Sequence, residues 1–178
     1  GYEVRLNPKR LRRDLIAFIT VTCHSLSGAA DTGRYIGGNV APLGTQFATY
    51  RADITGTPLA AGLNAIDGVH CQMPKGAFYV FPNIAGVVDR LDVQTAYDAL
   101  PESVRRNSSP ATLFQLFLLY RYHVATMDRR SFGTLDSEGQ HFLRLSIATG
   151  AQDLAEAVDR IAAASTDVEG FRAFMASG

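Results

Sequence analysis

The residue of this sequence best suited to chemistry is Arg144, which stands between two leucines in the apolar run HFLRLSIAT, residues 141–149. A guanidinium on an apolar strand needs an anionic partner, because an unpaired charge is costly to bury. Its planar fork of N–H donors matches a carboxylate, which it holds through two parallel hydrogen bonds. Arg144 is therefore predicted to hold an anion, which is either part of a ligand or, as the simpler alternative, an acidic residue of its own chain.

Other reactive residue types lack the spacing that their chemistry requires. The sequence has four histidines, at positions 24, 70, 123 and 141. Their scatter argues against a metal site and against a nucleophile–histidine pair. Cys23 and Cys71 are too few for a disulfide framework, so both are predicted to be buried thiols.

The composition is that of an ordinary globular domain. The 178 residues are 47% hydrophobic and 19% charged, and the formal net charge is zero. A neutral chain creates no general field that would attract nucleic acid or an anionic membrane. No apolar run approaches the length of a membrane span, and the N-terminal residues lack the layout of a signal peptide. We therefore expect a cytoplasmic protein whose partners include neither nucleic acid nor membrane.

The elements that must position Arg144 alternate between strands and helices. The stretch MPKGAFYVFPNI, residues 73–84, contains an aromatic strand, 77–81, that Pro82 ends. Ser109 followed by Pro110 predicts a helix start, with Leu113, Leu116, Phe117 and Tyr120 on its buried face. The other predicted elements are helices at 11–16, 59–66, 93–100 and 152–164, strands at 69–72, 123–127 and 141–149, and a polar loop at 101–109. This alternation predicts a two-layer α/β sandwich.

Residues 18–60 differ from the rest of the chain. They are rich in Gly, Thr and Ala and contain few charges, and two alternating runs, 19–23 and 47–54, predict short strands among loops. This stretch is predicted to be an atypical Gly/Thr-rich insertion. It separates an N-terminal segment, residues 1–17, from the α/β part of the chain, residues 61–178.

Three ordered stretches of the sequence read GVHCQMPKGAFYVFPNI from Gly68, ATMDRRSFG from Ala125 and GQHFLRLSIATGAQDLAEAVDRI from Gly139. Together they resemble the C-terminal small domain of class I aminotransferases, the aspartate aminotransferase-like enzymes that use pyridoxal phosphate. The resemblance covers residues 62–178. It implies that residues 61–178 have the small-domain fold of fold-type I pyridoxal-phosphate-dependent transferases.

The resemblance also implies roles for particular residues. Arg144 matches the family arginine that grips the α-carboxylate of the substrate. The stretch HSLSGAADTGRYIGG, residues 24–38, faintly resembles the cofactor-lysine motif and would make Ser25, Ser27 and Arg34 cofactor-binding. The alternative is a plain Gly-rich loop whose hydroxyls satisfy the local backbone. No lysine stands at the Schiff-base position of this motif.

The segment RRDLIA, residues 12–17, resembles the start of a family helix that would continue as AGLNAIDGV, residues 61–69. Joining the two would restore an uninterrupted family helix. Residues 18–60 are therefore interpreted as an insertion or a rearranged stretch.

These observations support two functional hypotheses. In the first, the chain is an aminotransferase-like domain whose ancestral reaction moves an amino group between an amino acid and a 2-oxo acid with pyridoxal phosphate, and a homodimer is compatible with the family. Such chemistry needs a lysine and an acidic partner for the pyridine nitrogen. The two lysines, Lys9 and Lys75, lie outside the family's lysine motif, so the site is expected to be incomplete in this chain, and a truncated or artificial polypeptide is a further alternative. In the second, the chain is a non-catalytic structural or interaction domain that keeps the sandwich.

Overall fold

A computed structural model describes residues 16–17, 57–75, 79–132 and 139–177, which form a mixed α/β fold. The strands within these ranges are β1 (Ile16–Ala17), β2 (Tyr79–Val80), β3 (Val124–Ala125), β4 (Met127–Asp128) and β5 (Leu143–Ser146). The helices are α1 (Thr57–Asn64), α2 (Ala85–Arg90), α3 (Val93–Asp98), α4 (Glu102–Arg105), α5 (Pro110–Tyr122), α6 (Ala151–Ala164) and α7 (Val168–Ala176). A 3-10 turn spans Arg129–Phe132. None of the described helices combines the length and apolarity needed to cross a membrane.

The strands form two small sheets. Strand β5 is the centre of an antiparallel sheet with the order β2-β5-β4. Its register sets Leu145 opposite Val80 and Leu143 opposite Asp128. Strand β1 pairs in parallel with β3 in a separate two-stranded ladder. The strand that carries Arg144 is therefore held on both edges by hydrogen bonds.

Helices α1, α5 and α6 pack together with the strands around one apolar core. Helix α6 contacts both α1 and α5, and α5 lies against β3 and β4. The largest fully buried side chains are Phe114, Phe117, Phe171, Leu59, Leu63, Ile84, Leu91, Leu118, Leu143, Leu145 and Ile147. Alternate residues of β5, Leu143 and Leu145, belong to this set, and Ile147 follows directly after the strand. The core therefore fixes the face on which Arg144 can lie.

Helix α5 begins where its sequence predicts. The Ser109 side chain accepts a hydrogen bond from the Thr112 N–H, and the Thr112 hydroxyl accepts one from the Ser109 N–H, which is a reciprocal capping box. Pro110 occupies the first turn, where its missing N–H costs nothing. His123 ends the helix in the left-handed conformation, with φ of 56°.

The buried face of α5 differs from the prediction. Tyr120 is 61% exposed, and its ring stacks on Phe174 at the surface. Leu116 is half-buried, whereas Phe114 and Leu118 are fully buried. Helix α5 contacts β3, β4, α3 and α6, so its buried surface is wider than a single-face pattern predicts.

Several predicted elements are shorter or different in the structure. The strand expected at 141–149 is reduced to β5, and the one at 69–72 to a single bridge between His70 and Asn83. Within the described residues of the strand expected at 77–81, β2 covers Tyr79–Val80. The strand expected at 123–127 is interrupted at Thr126. The prediction of a helix at 11–16 is wrong at its last residue, because Ile16 lies in a strand and pairs with Val124. The loop expected at 101–109 contains α4, and α2 had no sequence counterpart.

The helices expected at 59–66, 93–100 and 152–164 are confirmed as α1, α3 and α6, within a few residues at their ends. In α6 the predicted inward residues Leu154, Ala157 and Ile161 are buried and Val158 is half-buried. Cys71 is a buried free thiol, as expected, and burial raises its pKa to about 11. The predictions made for residues 18–56, including Cys23, lie outside the described residues.

The contact between Tyr122 and Asp167 predicts a pH dependence of stability. The Tyr122 hydroxyl donates to Asp167 Oδ2 at 2.7 Å, and Asp167 Oδ1 accepts from the Gly170 N–H at the start of α7. These bonds lower the pKa of Asp167, while burial and Asp167 raise the pKa of Tyr122 to about 12. A lowered carboxyl pKa contributes stability above its unfolded value, and this contribution is lost as the pH falls through the folded value.

We expect Tyr122→Phe to make the free energy of unfolding less dependent on pH at the acid end, because the first cause of the Asp167 shift is removed. Urea unfolding of both proteins from pH 6 down to pH 2 measures this. The difference should also vanish at high pH, where Tyr122 ionises at about 12 and its contribution is lost. If the free energies of unfolding of the two proteins fell equally as the pH is lowered, the pH dependence could not come from the contact between Tyr122 and Asp167.

Candidate functional site

Arg144 lies on the central strand of the antiparallel sheet. Met127 on β4 is directly opposite Arg144, and Tyr79 on β2 is opposite Ser146, two residues along the same strand. Because successive side chains of a strand point to opposite faces, Arg144 shares its face with Met127 and Tyr79. Its two leucine neighbours point into the core on the other face.

Aromatic rings stack on the Arg144 guanidinium. The Cζ atom lies 4.3 Å from the ring centroid of Tyr79 and 3.7 Å from that of Phe132. Arg144 is 4% exposed, so these cation–π contacts are made away from bulk water, where they are strongest. The rings cover the flat face of the guanidinium, so the N–H groups along its edge remain the donors for hydrogen bonds.

The edge donors of Arg144 are poorly satisfied. One Nη2–H donates to the Met127 sulfur at 3.2 Å, which is a weak acceptor, and the buried Nε–H has no hydrogen-bond partner. Among the described residues no carboxylate forms an ion pair with Arg144. Burial lowers the pKa of the guanidinium and Tyr79 opposes the change, yet an arginine stays charged at any physiological pH. The site is thus a buried cation with an unused donor edge.

Asp128 holds the turn that carries Phe132. Its Oδ1 accepts the Arg130 N–H at 2.8 Å, in the first half of the 3-10 turn. Its Oδ2 accepts the hydroxyls of Ser109 and Thr112, the latter at 2.7 Å. These hydroxyls in turn accept the N–H groups of the α5 capping box, so the carboxylate stands at the positive end of the helix. One buried side chain therefore joins α5, β4 and the turn beside Arg144.

A cleft of about 890 Å³ opens beside this face of the sheet. Tyr79 and Phe132, the two rings stacked on Arg144, also line the cleft. The Arg129 guanidinium lies over the ring of Phe142, 5.3 Å from its centroid, on another part of the wall. The volume is in the range of about 300–1,000 Å³ that small-molecule sites occupy.

The structure places few of the residues singled out in the sequence at this site. Arg144 is at its centre, and His70 and Lys75 line the cleft. Ser25, Ser27 and Arg34, predicted to bind cofactor, lie outside the described residues, as does Lys9. Within the described ranges no cluster of His, Cys, Asp or Glu could hold a metal ion.

Sequence reasoning missed the residues that surround Arg144. Met127 and Phe132 lie in the motif ATMDRRSFG, but no periodic pattern relates that stretch to Arg144. Asp128 follows a short apolar strand, which is a weak signal for a buried carboxylate. The strand containing Tyr79 was predicted from its aromatic residues, but its contact with Arg144 was not, because that contact depends on a register that turn chemistry did not specify.

The described residues do not fit pyridoxal phosphate. The cofactor requires a lysine amine, phosphate donors and an acidic partner for the ring nitrogen. Lys75 is the one lysine in the described ranges, and it is exposed. The cleft that it lines has no Asp or Glu among its described residues.

Comparison with known proteins shows homology over part of the chain. No family model matches it. The aspartate aminotransferase of Rhizobium meliloti strain 1021 is 40% identical over 103 residues, which cover 58% of this chain and 22% of that protein. The aspartate/prephenate aminotransferase of Nitrosomonas europaea is 36% identical over 104 residues, 58% of this chain and 23% of that protein. Over this region the chain is homologous to class I aminotransferases of the aspartate aminotransferase family, which confirms the resemblance found in the sequence.

The matched region is a small share of these relatives, since the chain spans about a fifth of the length of the curated proteins that it matches. The crystal structure of the Rhizobium meliloti aspartate aminotransferase superposes with a TM-score of 0.49 and 34% identity, covering 76% of this chain and 30% of that chain.

Proposed function

We propose that this chain binds the carboxylate of an amino acid or 2-oxo acid at Arg144 and serves as the substrate-carboxylate part of an aminotransferase-like protein. The observation that carries the proposal is the buried, unpartnered Nε–H of Arg144 beside a weakly bonded Nη2–H. A carboxylate that accepts from both would form the bidentate pair for which a guanidinium is shaped. It would replace a sulfur acceptor and satisfy the orphan donor in one step.

Access to Arg144 requires a side chain to move, because the residue is 4% exposed. Phe132 is the ring suited to this motion. It is 47% exposed and sits at the end of a short 3-10 turn, whereas Tyr79 is half-buried within a strand. The carboxylate is proposed to reach the guanidinium edge when Phe132 swings outward.

The homology to aspartate aminotransferases supports a wider proposal. Residues 61–178 are proposed to form the two-layer α/β sandwich of the aminotransferase small domain, with 1–17 as an N-terminal segment and 18–60 as an insertion. Amino-group transfer with pyridoxal phosphate, and cofactor contacts from Ser25, Ser27 and Arg34, are proposals of the same kind. They rest on the homology to aspartate aminotransferases over 103 residues.

We expect Arg144→Met to weaken binding of propanoate, the simplest probe of this site, by about tenfold or more, because the bidentate donors are lost while the apolar stem remains. The propanoate affinity of Arg144→Lys should lie between those of the native protein and Arg144→Met, since an ammonium keeps the charge but not the planar fork of donors. Binding is measured by NMR titration of each protein.

Arg172→Met is the matched control. Arg172 is an exposed arginine on α7 whose partner is Glu169, so its replacement should leave propanoate binding unchanged. Equal propanoate affinity in the native protein and in Arg144→Met would reject the proposed site.

A second function, a binding module without catalysis, is favoured by one observation. Lys75 is exposed on a wall that lacks an acidic residue within the described part of the chain. We expect incubation with pyridoxal phosphate and borohydride reduction to give sparse labelling of both lysines, because no constellation distinguishes one amine. Peptide mapping measures this. Stoichiometric labelling of a single lysine, abolished by a competing amino acid, would restore a complete enzyme.

A further inference from the structure

The cleft beside Arg144 concentrates exposed apolar surface. Five large hydrophobic residues are more than a third exposed in the described part of the chain, and three of them, Met73, Phe81 and Phe132, line this cleft at 48%, 39% and 47% exposure. Large side chains left in water at one concave place mark a ligand site more often than chance packing does. Tyr79 and Phe142 extend the same wall.

The polar groups of the cleft favour an anion. Among its described lining residues are Arg129, Lys75 and His70, and no acid. A negatively charged ligand therefore meets exposed aromatic surface and the Lys75 ammonium, with no opposing carboxylate among these described residues. An apolar cation or a neutral sugar would match this combination poorly.

The rings of Tyr79 and Phe132 connect the cleft to Arg144. Each ring contacts the guanidinium, at 4.3 and 3.7 Å from Cζ, and each also lines the cleft. Phe132 therefore lies between the guanidinium and the cleft, and its displacement is the movement that would join the two. A ligand of moderate length can then reach both.

We propose that this site selects an aromatic monocarboxylate, with the carboxylate on Arg144 and the aryl group against the aromatic wall of the cleft. The inference rests on the proposed function, since it needs the carboxylate to bind Arg144. Aryl stacking on aromatic side chains provides affinity that a short aliphatic acid cannot obtain.

The test compares three carboxylates, 3-phenylpropanoate, propanoate and succinate, by NMR titration of the full chain. Propanoate is the same acid without its ring, and succinate replaces the ring with a second carboxylate. Burial of a phenyl group predicts that 3-phenylpropanoate binds about tenfold or more tightly than propanoate. Succinate binding as tightly as 3-phenylpropanoate would overturn the inference in favour of a dicarboxylate site.

Phe81→Ala tests the aromatic wall, and Tyr120→Ala is its control. Both remove an exposed aromatic ring, at 39% and 61% exposure, but Tyr120 does not line the cleft. We expect Phe81→Ala to remove most of the advantage of 3-phenylpropanoate and Tyr120→Ala to leave it intact. An advantage that survives Phe81→Ala unchanged would contradict the inference.

The failures of the two proposals are distinguishable with Arg144→Met. Propanoate binding that depends on Arg144, with no gain from the phenyl ring, overturns the aryl site and leaves the proposed function standing. Binding of 3-phenylpropanoate that is unchanged in Arg144→Met overturns both, because the carboxylate is then held elsewhere. Absence of binding by all three acids also overturns both.

Discussion

Asp128→Ala is expected to lower the free energy of unfolding by about 3 kcal/mol, the largest effect anticipated for a polar residue of this protein. The buried carboxylate accepts the hydroxyls of Ser109 and Thr112 and the N–H of Arg130. Hydrogen bonds to a charged acceptor contribute about 1.5–3 kcal/mol each, and removal leaves these donors without an acceptor. Losses within one network are not additive, so the sum is smaller than three separate bonds would give.

Urea unfolding of the native protein, Asp128→Ala and Asp98→Ala measures this effect. Asp98 is an exposed carboxylate on α3 whose hydrogen bond to Gln94 lies at the surface, so its replacement should cost about 0.5 kcal/mol or less. If Asp128→Ala lowered the free energy of unfolding as little as Asp98→Ala, the hydrogen bonds that Asp128 accepts would not stabilise the fold.

Asp128 also positions the turn beside Arg144. By accepting the Arg130 N–H it orients the turn whose last residue is Phe132. Asp128→Asn keeps the size of the side chain and weakens these bonds, so it should loosen the turn with less loss of stability. The propanoate affinity of the Asp128→Asn variant should therefore differ from that of the native protein, although Arg144 is unchanged. A purely structural Asp128 would leave that affinity unaltered in the folded fraction.

Gly86→Ala is expected to cost about 2 kcal/mol or more, because two backbone segments touch at this residue. A Cβ on Gly86 would lie 2.4 Å from the Cα of Gly68, whose φ of 80° already requires glycine. The Gly86 N–H donates to the Gly68 carbonyl at 3.1 Å, so the two backbone segments cannot move apart without losing that hydrogen bond. The contact sets the path from α1 to His70 at the cleft.

Gly150→Ala is the matched control for this substitution. Gly150 precedes α6 with φ of −66°, and a Cβ there would meet the Asp153 carboxylate at an ordinary 3.4 Å. Its unfolding free energy should stay within about 0.5 kcal/mol of the native value. Comparable losses at both glycines would mean that the close approach at Gly68 is not the cause.

Local signals predicted the helices better than the strands. Ser109 and Pro110 mark a helix start by chemistry that acts within four residues, and the apolar period of α6 is set by one packed face. Strand β5 is shorter than its apolar run because pairing depends on distant partners, β2 and β4, which end after two residues each. Tyr120 was misplaced because helix rotation depends on which neighbours pack against α5.

For the site, the sequence revealed the charged residue and not its surroundings. Arg144 stands out because a cation between leucines conflicts with the strand pattern. Phe132 and Met127 reach it only through the register of β4 against β5 and the fold of the 3-10 turn. The sequence left two partners open for Arg144, a ligand or an acidic residue of its own chain. In the described part of the chain no acidic residue pairs with it.

The most direct test of the carboxylate site observes the Arg144 Nε–H itself by NMR. Its signal is assigned as the one that disappears in Arg144→Lys, and it is then followed during titration with propanoate. We predict a saturable downfield shift of this proton, because an unpartnered donor gains a charged acceptor. A signal that stays unmoved while propanoate shifts resonances elsewhere would contradict a carboxylate site at Arg144.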